Sequence, residues 1–361
     1  MRIRKLLKQS PRNLLLIFLL LVILWNEYLA LKIKSLFWIT PIESGKHYSI
    51  LIASDPQLIG YRNEKFGGIA RWDSDRYVKN GFDAAIASAQ PFFLGDLFDE
   101  GVIMSSQEFK WTFERFEKIL HISKIFLLFI SQEFKWTFER FENIFSHIKN
   151  IPTIYVPCDN DIGGDFEPVY ERLVLRFNRI FVNSLKNLDH FSQNHIDFAA
   201  TIPLEDGKFK SIIKANNSRV KILLSHIPLL RSLRRDDYET VESYSPDLIL
   251  TAHDRTAELY LRNRTTPNFE RYAFHKRLDF LISSKHSIIE IQNPTVSYRM
   301  GVGNMGYGLL TFYDESPLAA VYTVFWLPGR YPQLFLYIFA IIITVSFIIF
   351  PCIISSSQRN L

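Results

Sequence analysis

The sequence predicts an α/β fold whose ligand-bearing residues gather at one sheet edge, and three observations predict it. First, five short apolar runs each end in a residue able to ligate a metal. Run 48–54 ends in Asp55, run 91–94 in Gly95-Asp96, and run 151–157 in Cys158-Asp159-Asn160-Asp161. Run 220–225 ends in His226 and run 246–252 in His253. Second, Val78, Phe82, Ala85, Ile86 and Ala89 recur at helical spacing between the first two runs, which makes a strand–helix–strand unit and hence a parallel sheet. Third, a strand that ends in Gly-Asp leaves a carboxylate at the carboxyl edge of a sheet, where open α/β folds place their ligands.

The elements follow in order. The basic start contains Arg2, Arg4, Lys5, Lys8 and Arg12. An apolar run over 14–25 comes next, is interrupted by Asn26 and Glu27, and resumes over 28–31. A cleaved signal peptide shares this pattern. The lack of a small-x-small cleavage site, together with Trp25, Tyr28, Phe37 and Trp38 as interface anchors, favours an uncleaved anchor. Residues 334–354 carry no charge and are long enough to span a bilayer, which needs roughly 20 apolar residues. With the basic end in the cytoplasm, the expected organisation is a cytoplasmic N-terminus (1–13), an anchor (14–32), a lumenal domain (33–333), a second span (334–354) and a cytoplasmic tail (355–361).

Inside the domain, residues 70–75 read as a helix start with Asp73 or Ser74 as cap. Segment 106–117 recurs residue for residue as 131–142, and either copy makes an amphipathic helix. One crossover helix suffices here, so the pair points to a local duplication or a mis-joined gene model. Residues 166–181 read as helix, 187–219 as strand and loop, and 231–245 as a charged loop. Segment 283–312 is strand-like and then glycine-rich. Gly301, Gly303, Gly306 and Gly308 are too dispersed for a phosphate loop and read as sheet turns.

Composition sets bounds on function. With 361 residues, 48% of them hydrophobic and 31 of them Phe, the chain can bury a large core. The net charge of +5 sits partly in the basic start, and no basic–aromatic platform accompanies it, which points to a membrane and not to nucleic acid. Two cysteines, Cys158 and the span residue Cys352, argue against a disulfide framework. Sequons at 216–218 and 263–265 permit a lumenal location.

Carboxylates and imidazoles at successive strand ends suit two adjacent divalent cations, with Asp96 as the bridge. Mn²⁺, Fe²⁺ or Zn²⁺ fit such donors better than Ca²⁺. Two ions ~3.5–4 Å apart can clamp a phosphate and activate a water, so the pattern points to phosphoester hydrolysis.

The order Asp55-Pro-Gln57, Gly95-Asp96-Leu-Phe-Asp99-Glu100, Cys158-Asp159-Asn160-Asp161, His226 and Ala252-His253-Asp-Arg255 resembles the calcineurin-like metallophosphoesterases. Their motifs are D-x-H, G-D-x-x-D, G-N-[HN]-[DE], H and G-H-x-H. Segments 95–101 and 161–164, bracketed by two spans, resemble the membrane-anchored branch that remodels GPI anchors. The resemblance implies a β-sandwich flanked by helices, with metal ligands Asp55, Asp96, Asp159, His226 and His253 and a weaker ligand in Gln57. It implies two divalent ions, Mn²⁺ by family habit. The implied activity is removal of ethanolamine phosphate from a GPI-glycan mannose, supporting endoplasmic-reticulum-to-Golgi transport. The implied partners are the membrane and GPI-anchored proteins or GPI glycolipid.

Several positions depart from the motifs. Cys158 and Asp159 replace Gly-Asn, and Asn160 stands where many members carry a catalytic His; an amide donates no proton at useful pKa. Arg255 stands where the last histidine ligand is expected, and a guanidinium cannot ligate. A second reading is therefore a membrane-held protein of the same fold that binds GPI-linked cargo without cutting it.

Overall fold

Strand-forming apolar runs and their covering helices build two six-stranded mixed sheets in the computed structural model. It describes residues 11–40, 47–59, 67–86, 89–99, 101–121, 154–163, 168–180, 196–201, 220–231, 235–264, 268–274, 277–282, 287–313 and 318–357. The first sheet has the order β3 (Ile154–Val156), β2 (Gln90–Leu94), β1 (His47–Ala53), β11 (Gly306–Tyr313), β12 (Leu318–Trp326), β9 (Arg277–Ile282). The second has the order β4 (Ile196–Ala200), β5 (Val220–Leu224), β6 (Leu248–Thr251), β10 (Ser287–Gln292), β7 (Glu258–Asn263), β8 (Phe269–Ala273). β1, β2 and β3 run parallel, as the strand–helix–strand pattern predicts, and so do β4, β5, β6 and β10. The other pairings are antiparallel.

One core joins the two sheets. Ile50, Ile52, Phe92, Leu94 and Val156 of the first pack with Ile222, Leu224, Leu250 and Ile291 of the second, which makes a β-sandwich. The inner strands are buried on both faces and so read as continuous apolar runs. On the first sheet's outer face, the helix Gly67–Ala85 sets Phe82 against Phe93 and Tyr307, and the Tyr307 hydroxyl donates to Val78 O at 2.7 Å. On the second sheet's outer face, Leu223, Ile249 and Ile288 meet Val241 and Tyr244. Each fully buried Leu or Ile contributes about 1.5–3 kcal/mol relative to exposure.

Four local readings change. Residues 231–245 are not all loop: Arg235–Tyr244 is a helix, whose charged face hides the i, i+3 pair Val241 and Tyr244 that anchors it. The helix that covers the first sheet starts at Gly67, so Asp73 and Ser74 lie inside it and are buried; Asp73 accepts a hydrogen bond from Tyr298 at 2.9 Å. Gly306 and Gly308 lie within β11 and not in turns. At Gly308 a Cβ would sit 2.1 Å from Asn293 Oδ1, so the missing side chain makes room for that amide. Helix Glu171–Ile180 is shorter than its apolar spacing suggests.

The first repeat copy forms helix Ser106–His121, opened by a capping box in which Ser105 N donates to Glu108 and Glu108 N donates to Ser105 Oγ. The second copy, Glu100, the sequon at 216–218 and the terminal segments 1–10 and 358–361 lie outside the described residues.

The chain divides into two units, Trp38–Leu327 and a second made of Met1–Phe37 with Pro328–Leu361. The second holds two helices, Pro11–Ser35 and Arg330–Ser357, long and apolar enough to cross a membrane, with mean hydropathy 2.4 and 2.3 in their candidate spans. Their polar interruption is paired within the unit. At the π-helical turn Trp25–Leu29, Asn26 donates to Gln333 O at 2.9 Å. Glu27 accepts from Tyr337 and lies 3.6 Å from Arg330.

Candidate metal centre

Strand ends of both sheets converge on one nitrogen, His226 Nε2. His226 leaves β5 and is 3% exposed. Its Nδ1 lies 2.7 Å from Leu94 O, so the Nδ1–H donates to that carbonyl and Nε2 is left as the inward donor atom. Around Nε2 stand His253 Nδ1 at 3.2 Å, Asp159 Oδ1 at 3.4 Å, Asp96 Oδ1 at 3.7 Å and Asp55 Oδ1 at 3.9 Å. Donor atoms of Asp96, Cys158, Asp159 and His226 all lie within 4.8 Å of one another.

The backbone is bent to make this possible. Asp55, Gln57, Asp96, His253 and Arg255 all have φ between 42° and 69°, in the left-handed region that non-glycine residues avoid. Such strain persists only where the surroundings hold it, and it concentrates at functional sites. Gly95, at φ 80°, is required here: a Cβ would lie 2.5 Å from His226 Nδ1 and 2.7 Å from Cys158 Cβ.

Each predicted residue has a definite place. Gln57 reaches Asp96 with its amide nitrogen, which donates to Oδ2 at 2.5 Å. Cys158 donates its thiol proton to Asp96 Oδ1 at 2.6 Å, lies 3.2 Å from Asp161 Oδ2, and accepts from Asp96 N at 2.7 Å. Asp159 and Asn160 open the short helical turn Asp159–Ile162 and are half-buried. Arg255 Nη1 donates to Met300 O at 3.4 Å, and its charge draws the Asp55 pKa down.

The carboxylates carry the electrostatic tension. Asp55 is fully buried, and among the described residues neither of its oxygens has a hydrogen-bond partner. Asp159 Oδ1 and Asp161 Oδ1 are likewise unpaired. Burial, above all, raises the pKa of Asp55 and Asp159, and neighbouring carboxylates add to it. Asp161 is pushed up to about 7 by burial and by Asp96. Burial pulls His226 down, but Asp96, Asp55 and Asp159 together outweigh it and raise the imidazole to about 9. Burial, then Asp161, Asp96 and Asp159, pushes the Cys158 thiol well up. Buried carboxylates that outnumber the positive groups beside them are costly. A divalent cation among these donors fits the deficit in charge and the orphaned oxygens alike.

Sequence reasoning missed the supports. Asn293 is 1% exposed; its backbone N donates to Thr251 O at 2.8 Å, and its Nδ2 donates to Ser54 Oγ at 2.9 Å. Tyr322 donates to its Oδ1 at 2.7 Å. Thr295 Oγ1 donates to Asp55 O at 3.0 Å. Glu290, fully buried, accepts from Leu229 N, Leu230 N and Thr251 Oγ1. The Asn293-Pro294 pair at the end of β10 was the one local signal.

No family model and no curated protein matches the chain. Similar solved structures include the crystal structure of a metallophosphoesterase from Sphaerobacter thermophilus, at 10% identity and TM-score 0.35, covering 77% of this chain and 87% of that one. They also include the NAD nucleotidase of Haemophilus influenzae, at 12% identity and TM-score 0.30 over 77% of this chain. The chain spans about half of that second protein's length, 49%.

Proposed function

We propose that this chain is a metal-dependent phosphoester hydrolase of the calcineurin-like type, held at a membrane by its two apolar helices. The observation that carries the proposal is the ring of donors around His226 Nε2, with the fully buried carboxylate of Asp55 in it, which has no hydrogen-bond partner among the described residues. Divalent cations bound there would neutralise phosphate oxygens and lower the pKa of a water. Asp55, Asp96, Asp159, His226 and His253 hold the ions. Gln57 keeps Asp96 in place through its amide hydrogen bond. Arg255 adds a fixed positive charge that suits a phosphate oxygen. Asn160 has no titratable proton and can only orient substrate.

The narrower reading rests on the motif resemblance: removal of ethanolamine phosphate from a GPI-glycan mannose by two ions, Mn²⁺ by family habit. The domain is then lumenal, in the endoplasmic reticulum and Golgi, and GPI-anchored proteins or GPI glycolipid are its partners. Arg255 favours one rival, a protein that binds such cargo without cutting it. The test is metal stoichiometry and hydrolysis of a phosphodiester and a GPI glycan by the full chain in detergent with Mn²⁺. Two bound ions, with hydrolysis lost in Asp96→Asn, support the hydrolase. A bound ion without hydrolysis, with activity gained in Arg255→His, selects the binder. No bound ion overturns the hydrolase and leaves the binder standing.

A further inference from the structure

We propose that Cys158 is itself a ligand of the centre, a sulfur donor that shifts its preference from Mn²⁺ toward a softer cation of the Zn²⁺ class. This rests on the metal-binding reading above and makes it more specific. A buried cysteine usually acts as a small apolar filler. Cys158 is 1% exposed, yet its sulfur contacts polar groups: Asp96 Oδ1 at 2.6 Å, Asp96 N at 2.7 Å and Asp161 Oδ2 at 3.2 Å. Its sulfur lies within 4.8 Å of the donor atoms of Asp96, Asp159 and His226.

A second observation points to a cation beside the same histidine. Asp55, fully buried, directs Oδ1 to 3.9 Å from His226 Nε2, and neither of its oxygens has a partner among the described residues. Asp159 Oδ1, 3.4 Å from the same nitrogen, likewise has no hydrogen-bond partner among the described residues. Space for the cysteine is built in, because a Cβ on Gly95 would lie 2.7 Å from Cys158 Cβ. The resulting donor set is one sulfur, imidazole nitrogen and carboxylate oxygen. Zn²⁺ accepts all three, whereas Mn²⁺ and Mg²⁺ favour oxygen. On binding, the sulfur gives a lone pair to the cation, and the thiol proton leaves to solvent, one per chain.

The test is Co²⁺ titration of the full chain in detergent, read by absorption. Visible d–d bands report that the ion is bound by the protein. A near-ultraviolet sulfur-to-cobalt charge-transfer band reports the thiolate. The chain has only two cysteines, so the assignment needs two variants. The expected result is a charge-transfer band that survives Cys352→Ser and vanishes in Cys158→Ser. Loss of outer-shell support alone costs roughly 10–100-fold in metal affinity, so Cys158→Ser should weaken Zn²⁺ at least that much. Mn²⁺ affinity should change little. If Cys158→Ser does not fold, the band in Cys352→Ser still decides, since one cysteine then remains. Bound Co²⁺ without the band overturns the sulfur ligand and leaves the phosphoesterase reading standing. Absence of Co²⁺ binding overturns both.

Discussion

The two sheets contribute unequal halves to the centre. From the first come Asp55, Asp96 and Cys158, on backbone held at positive φ for both aspartates, with the Asp55 oxygens lacking a hydrogen bond among the described residues. From the second come His226 and His253, and this half is braced. Leu94 O fixes the His226 ring, and Glu290 holds both the loop after His226 and Thr251, two residues before His253. The imidazole half is thus organised by protein alone, while the carboxylate half holds more negative charge than His226 and Arg255 offset. A site divided this way needs its cation for charge balance more than for shape.

The sharpest way to break the comparison is Glu290→Ala. It leaves two buried N–H groups and a hydroxyl unpaired, at a cost of about 3–5 kcal/mol by chemical denaturation. Glu290→Gln keeps an oxygen for the two N–H donors, and Thr251 can rotate to accept from the amide, so its cost should be about 1 kcal/mol. If Glu290→Ala is as mild as a surface change, the second half is not braced as described.

These braces were not legible in the sequence, and the reason is distance along the chain. Glu290 lies about 60 residues from Leu229 and Leu230, and Asn293 lies 239 residues from Ser54. No local pattern marks such pairs. The donors were readable because each follows an apolar strand, and strand ends collect at a sheet edge. Cys158 was readable only as a departure from a motif, since its polar surroundings appear only once Asp96 and Asp161 are brought beside it. The helix Arg235–Tyr244 was hidden by its charges.

The next effect is on pH dependence, without added metal. Glu290 and Asp161 are held at about 7 in the folded chain, mainly by burial. Between the ordinary carboxylate range and pH 7 the folded chain therefore binds more protons than the unfolded one. Their stabilisation is complete at low pH and is lost as pH rises through about 7. His226, raised to about 9, adds a loss of the same sign from about 6.5 to 9. A carboxyl at about 7 in place of 4.5 contributes about 3 kcal/mol across its window. Thermal melts of metal-free chain should fall from pH 5 to pH 8. Saturating Zn²⁺ should remove the part due to the carboxylate half and leave the part due to Glu290, which Glu290→Gln should then remove. A pH profile indifferent to the cation would mean that the two halves do not differ in this way.

The smallest effect is the most direct on the comparison. Asp55→Asn removes a buried charge whose oxygens have no hydrogen-bond partner among the described residues, while the amide keeps its size. In metal-free chain at pH 8 the change should stabilise by about 1–2 kcal/mol, because burying an unpaired carboxylate costs more than burying a neutral amide. With Zn²⁺ the sign should reverse, since the variant loses a ligand that the cation needs and gains less from binding. The braced half offers no such inversion. Glu290 already has its hydrogen bonds, so Glu290→Gln should be mildly destabilising with and without metal. A variant of Asp55 that destabilises equally in both conditions would show that the carboxylate is held by something other than a cation, and the two halves would then be alike.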